Sequence, residues 1–150
     1  MDSMNAPRFE LVSKARPWAR LPRRADPGSA GYDFYLPEDV ALPPRMVTLV
    51  FTDVKAWMPS DVVLLLTIRS SLARRGIFLA NAPGVVDASY YNNPVNEGNI
   101  GLLLYNSTDM TVNLFREERV AQGVFVRYLL VEGDAPVSAR RFGGFGSSGV

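Results

Sequence analysis

Apolar residues along this chain come in short runs set off by Pro, Gly, Asn and Asp: "GYDFYL", "RMVTLVFTDVKAWM", "DVVLLLTI", "GIFLA", "GNIGLLLYN", "MTVNLF" and "RVAQGVFVRYLLVEG". Several alternate with period 2, as where Met46, Thr48 and Val50 interleave with Val47, Leu49 and Phe51. Short alternating runs rich in Val, Leu, Phe and Tyr, broken by turn formers, predict a sandwich or barrel of antiparallel strands. The one helical pattern is "SSLARRG" at 70–76, which Gly76 would end. No internal repeat or linker divides the chain, so an all-β single domain over 1–150 is expected. About 1–8 would form an N-terminal extension. Residues 140–150, "RRFGGFGSSGV", are too poor in side chains to hold one shape and would form a mobile arm.

Composition narrows the chemistry. With 47% hydrophobic and 21% charged residues the chain reads as globular, and a net charge of +1 gives no bulk attraction to nucleic acid or anionic membrane. The longest apolar run, "VVLLLTI" at 62–68, is too short to span a bilayer, and "MDSMNAPRFE" has no apolar signal core. Neither a membrane nor nucleic acid is expected as a partner, and a cytoplasmic location suits a chain without Cys. The basic residues Arg8, Lys14, Arg16, Arg20, Arg23 and Arg24 are read as a solvated, Pro-broken stretch. The chain also has no His, which removes Ser–His and Cys–His mechanisms and the commonest metal ligand. A carboxylate must then do any proton work, and a metal would be a hard cation held by oxygens.

Asp87 is the only acidic residue between Val62 and Asn96. It lies between "GVV" and "ASYY", where it is either a turn former or a general base. Arg69, Ser70 and Ser71 offer a guanidinium fork, two hydroxyls and first-turn amides, a set that suits phosphate as well as a surface cap. "GSAGYD" at 28–33 is a Gly-rich turn before a strand.

In order, "ADPGSAGYDF", "RSSLARRG", "NAPGVVDASYY", "ERVAQGVF" and "RRFGGFGSSG" resemble the five motifs of the homotrimeric dUTP pyrophosphatases, or dUTPases, over residues 25–149. The resemblance implies a distorted jelly-roll β-barrel of the dUTPase β-clip type. It also implies a homotrimer with shared sites, dUTP as substrate, and Mg²⁺ as cofactor. Asp87 would activate the water that attacks the α-phosphorus. Asn81 would read uracil, with Gly84, Val85 and Val86 lining a slot closed to a 5-methyl group. Tyr90 would lie against deoxyribose and exclude a 2′-hydroxyl. Arg69, Ser70, Ser71 and Gln122 would bind phosphates, and Asp33 would face the water shell of a magnesium ion carried by those phosphates. Arg119 would pair with an acid inside the trimer. In the arm, Phe145 would stack on uracil, while Arg140 or Arg141, Gly146, Ser147 and Ser148 would close over the phosphates.

The chain departs from the family pattern in four places. Ser89 replaces an acid, Asn92 and Glu117 stand where Gly is usual, and "YYNNPVNEGN" is longer than in common versions. That longer hairpin leaves a regulatory or binding role as an alternative, with a possible protein partner. The related dCTP deaminases need a Glu where this chain has Leu103, so deamination is disfavoured.

Overall fold

The computed structural model describes residues 5–139. Twelve strands carry the fold among them: β1 Arg8–Leu11, β2 Arg23–Arg24, β3 Tyr32–Tyr35, β4 Val40–Leu42, β5 Val47–Phe51, β6 Val54–Trp57, β7 Val62–Ile68, β8 Ile77–Leu79, β9 Gly84–Val86, β10 Gly101–Asn106, β11 Val112–Leu114 and β12 Arg119–Arg127. One short helix, α1 Ser70–Arg74, and a 3-10 turn, Ala88–Tyr90, interrupt them. The expected all-β jelly-roll class holds. The largest sheet runs β2-β3-β12-β7-β9, a second runs β5-β10-β8, and β1 with β6 and β11 with β4 form two ribbons. All these pairings are antiparallel.

Two strands show how sequence sets position. In β7 the run "VVLLLTI" lies between β12 and β9, and four of its first five residues are buried, so it is apolar without alternation. In β10, by contrast, Leu102, Leu104 and Asn106 point inward while Gly101, Leu103 and Tyr105 are half-exposed. Asn106 is tolerated in the core because its amide is fully used. It donates to the Leu42 and Met110 carbonyls at 2.9 and 2.8 Å and accepts from the Thr108 amide at 2.9 Å. Inward residues from every sheet, among them Phe34, Leu36, Leu64, Leu104 and Leu114, form one core.

The run "RMVTLVFTDVKAWM" is two strands rather than one. Asp53 sits at φ 63 and breaks it. Its carboxylate accepts from the Arg16 backbone at 2.9 Å, from Arg16 Nε at 2.8 Å and from Asn99 Nδ2 at 3.1 Å. Burial pushes the Asp53 carboxyl up, but the Arg16 and Asn99 hydrogen bonds outweigh it and hold the group below its ordinary range.

The basic N-terminal stretch is not simply solvated. Arg16 bridges Asp53, Glu38 and the Phe51 carbonyl, and Arg20 stacks on Tyr35 with 4.2 Å to the ring centroid. Arg24 donates to the Pro27 carbonyl at 2.8 Å. Arginine is suited to such forked and stacked contacts, so these cations fasten the stretch to the barrel.

Candidate active site

Gln122 on β12 pairs with Asp33 on β3 and with Thr67 on β7, so one row across the sheet aligns them. β7 ends at Ile68 and the chain turns into α1, which leaves Arg69 and Ser70 at the margin of that row. The Arg69 amide donates to the Val120 carbonyl at 3.2 Å and fixes the turn. Asp33, Arg69, Ser70 and Gln122 thereby line one cleft of about 150 Å³, with Ser29 and Gly31 on its wall. Ser71 is exposed and lies outside that lining.

Charge in the cleft is tightly organised. The Asp33 carboxylate is buried, 3.0 Å from Arg69 Nη1 and 3.5 Å from Arg119 Nη1. Arg119 therefore does pair with an acid, and that acid is in its own chain. The Arg69 contact is coulombic rather than a well-aligned hydrogen bond, and Nη1 is a buried donor with no hydrogen-bond acceptor among the described residues. Gly31 permits the close packing here, since a Cβ on it would come 2.6 Å from Gln122 Oε1.

A second group of candidate residues follows β9. Asn81 is exposed on the connection between β8 and β9. Strand alternation separates the two valines: Val85 is 58% exposed, whereas Val86 is packed in the core. Val86 can offer a slot only its backbone. Gly84 is buried against Leu66, whose Cβ would be 3.2 Å from a Cβ at that position. Asp87 is half-buried in an extended conformation before the 3-10 turn, and its carbonyl accepts from the Tyr90 amide at 3.0 Å.

Tyr90 is buried at 7% exposure, and its hydroxyl is held on both sides. It donates to the Asn99 carbonyl at 2.7 Å and accepts from Asn96 Nδ2 at 2.8 Å. The longer hairpin around it is tied to the barrel. Lys55 Nζ donates to Asn92 Oδ1 at 2.6 Å and to Glu97 Oε2 at 2.7 Å, and Glu97 also accepts from the Ser13 hydroxyl at 2.6 Å. The Lys55 and Ser13 bonds draw the Glu97 carboxyl from 4.5 down to about 2. Tyr91 donates its hydroxyl to Glu10 at 2.7 Å.

The two groups do not meet within one chain. β7 pairs with β9 through Leu66↔Gly84 and Leu64↔Val86. Arg69 continues β7 in one direction, while Asp87 continues β9 in the other, to a point level with Val63. Six residues of strand separate those levels, about 20 Å at a strand's rise per residue. Among the described residues no cluster of three or more acidic, His or Cys side chains could cage a metal ion. The single Asp33 carboxylate beside a hydroxyl and an amide fits a hydrated cation brought in by phosphates, not a resident one. Arg140, Arg141, Phe145, Gly146, Ser147 and Ser148 lie outside the described residues.

The dUTPase family model matches residues 18–149. The chain belongs to the dUTPase family. A deoxyuridine 5′-triphosphate nucleotidohydrolase of Lactococcus lactis is 42% identical over 95% of this chain and 97% of its own length. A dUTPase of Streptococcus mutans shares the fold with a TM-score of 0.80 at 44% identity, covering 83% of this chain and 98% of that one. A Staphylococcus bacteriophage 80alpha dUTPase with dUPNHPP gives a TM-score of 0.71 at 30% identity, covering 97% of this chain and 99% of that one.

Within that family frame, the two departures from Gly keep the backbone that Gly would serve. Asn92 and Glu117 sit at φ 55 and 67, in the left-handed region. The Asn96–Tyr90 contact and the Lys55 and Ser13 anchors leave no periodic mark in the sequence. The density of Asn in "YNNPVNEGN" was the available signal, since Asn hydrogen-bonds nearby backbone in turns.

Proposed function

We infer that this protein hydrolyses dUTP to dUMP and pyrophosphate, in a site completed by other copies of the same chain. The observation that carries the shared site is the separation of Asp87 from the Arg69 cleft along β7. A base some 20 Å from the phosphate donors in its own chain can serve only a cleft on a neighbour. Two further features support assembly. The outer face of β5-β10-β8 is apolar throughout, with Val47, Leu49 and Phe78 exposed beside half-exposed Phe51, Leu103 and Tyr105. Beyond β12, Leu129, Leu130 and Val131 are exposed among the described residues. A homotrimer, as the family resemblance implies, would use both.

In this reading the cleft takes the phosphates. Arg69 gives charge-assisted bonds, its unaccepted Nη1 gains an oxygen, and Ser70 and Gln122 add neutral donors, with Ser71 at the mouth. Asp33 holds Arg69 in place and faces the water shell of Mg²⁺, which when bound with the substrate neutralises phosphate charge. Asp87 accepts a proton from water as the water oxygen bonds to the α-phosphorus. The bond from that phosphorus to the bridging oxygen breaks, and pyrophosphate leaves with the electron pair. At the other end Asn81 and the backbone of Gly84 and Val86 pair with uracil, Val85 narrows the slot and Tyr90 bars a 2′-hydroxyl. Residues 140–150 form the arm that completes the neighbour's site, through Phe145 on uracil and Arg140 or Arg141, Gly146, Ser147 and Ser148 on phosphates. The unit is a single domain over 1–150 with an extension at 1–8, working in the cytoplasm. Deamination lacks its acid, because Leu103 sits in the apolar outer face of β10.

Complementation tests this directly. Asp87→Asn and Arg69→Gln chains, each inactive alone, are co-assembled and assayed for pyrophosphate release from dUTP, with dCTP, dTTP and UTP as controls. Random mixing should restore about a quarter of wild-type sites if base and cleft come from different copies. A mixture no more active than its parts would mean that both groups act from one chain.

A further inference from the structure

We propose that Asn96 is a positioning residue for sugar discrimination, acting through the Tyr90 hydroxyl. The inference deepens the reading of Tyr90 as the wall against ribose, and it rests on that reading.

Excluding one hydroxyl is a demanding task for a side chain. A ring that can tilt by a few tenths of an ångström admits the extra oxygen, so discrimination depends on how firmly the ring is held. Tyr90 is held at its two ends. Its carbonyl accepts from Asn93 Nδ2 at 2.8 Å, and its hydroxyl lies between the Asn99 carbonyl and Asn96 Nδ2. Asn96 in turn cannot rotate its amide without loss. Its Oδ1 accepts from Asn93 Nδ2 at 2.8 Å and from the Gly98 amide at 3.0 Å, which leaves Nδ2 aimed at the hydroxyl.

The support extends to the barrel. Gly98 lies at φ +88, and a Cβ there would come 2.8 Å from the Tyr90 carbonyl, so the segment closes tightly on the tyrosine backbone. Asn99 Oδ1 accepts from the Asp53 amide at 2.9 Å, and Lys55 clamps Asn92 and Glu97. The lengthened hairpin thus encloses the tyrosine in neutral amides that are themselves fixed to β6 and its preceding turn. Its physical effect is to stiffen a specificity wall.

Asn96→Asp keeps a carbonyl-type acceptor for Asn93 and Gly98 but cannot donate to the hydroxyl. The measurement is kcat and KM for dUTP and UTP in Asn96→Asp, Tyr90→Phe, Tyr90→Ala and the Asn96→Asp/Tyr90→Phe double variant, with melting temperatures alongside. The UTP-to-dUTP ratio of kcat/KM should rise about threefold to tenfold in Asn96→Asp, the scale of one lost hydrogen bond. The kcat for dUTP should stay within about twofold, since no catalytic group moves. In the Tyr90→Phe background the same change should add nothing, because the group it acts through is gone. An unchanged ratio in Asn96→Asp, while Tyr90→Ala raises it, would overturn the role of Asn96 and leave that of Tyr90 standing. Equal losses on both nucleotides, additive with Tyr90→Phe, would mark Asn96 as structural only and equally overturn it. An unchanged ratio in Tyr90→Ala would instead remove the underlying reading of the tyrosine.

Discussion

The two ends of β7 are built from different materials. At the Ile68 end, a buried carboxylate and two guanidiniums organise the cleft through charge. Beyond the Val62 end, the Tyr90 hydroxyl meets the Asn99 carbonyl and Asn96 Nδ2, and its carbonyl meets Asn93 Nδ2. Phosphate recognition needs strong fields and tolerates small displacements, because coulombic energy falls slowly with distance. Steric reading of a sugar needs the reverse: weak fields and firm placement. Under the proposed function, the choice of side chains follows the division of labour in the substrate.

The sharpest way to break this comparison is at the base. Asp87→Asn should lower dUTP turnover by about two to four powers of ten while nucleotide affinity persists, as stopped-flow binding and steady-state kinetics would reveal. Near-normal turnover would remove Asp87 from the chemistry. At the charged end, Arg69→Gln should cost about 10²–10³ in kcat, the scale for an electrostatic donor to a transferring group. It also leaves buried Asp33 with Arg119 alone, so the melting temperature should fall. Adding Asp33→Asn should recover the melting temperature without recovering turnover. Recovery of both would mean that the pair serves only the fold.

A smaller effect isolates Gln122. Gly31→Ala puts a methyl group 2.6 Å from Gln122 Oε1, too close to be accommodated, and should displace the carboxamide from the cleft. A loss of about tenfold in kcat/KM with little change in melting temperature is expected, the scale of one hydrogen bond to a charged group. The smallest effect concerns the neutral end and its anchor. The Glu97 carboxyl is depressed in the folded state, so its contribution is fully present above the ordinary 4.5 and is lost as pH falls through about 2. Hydrogen-exchange protection of amides 92–99 should be flat from about pH 7 to 5 and decline below that in the wild type. Glu97→Gln should remove the pH dependence. Protection that falls identically in both would assign the acid sensitivity elsewhere.

Much of the fold was legible because burial on one or two faces leaves a local mark. The alternation of β10, the unbroken run of β7 and the Gly76 stop after α1, with φ +83, all follow from such marks. β1, β2 and β4 leave no such mark because strands of two to four residues are too short to show a period, although Leu42 lies in the core and Phe9 and Val40 pack against it. The run after β12 misled in the other direction. "YLLVEG" is apolar enough for a strand, yet β12 ends at Arg127 and Tyr128 turns to donate its hydroxyl to the Ser60 carbonyl. In the cleft, Asp33, Arg69, Ser70 and Gln122 were legible from motif order, and the strand register brings them together. The Asn96 contact was not, because a side-chain amide's partner depends on tertiary placement and leaves no period in sequence.

If copies of the chain assemble as proposed, the apolar outer face of β5-β10-β8 has a consequence for the time before they meet. Each new copy would then be folded but sticky, since its sheet is apolar on both faces and Leu129, Leu130 and Val131 are exposed among the described residues. At low abundance it would wait longer for partners and stay open longer to chaperones, proteases and misdirected aggregation. Survival of each copy would therefore depend on how many siblings are made near it, and clustered synthesis on one message would shorten the exposed interval.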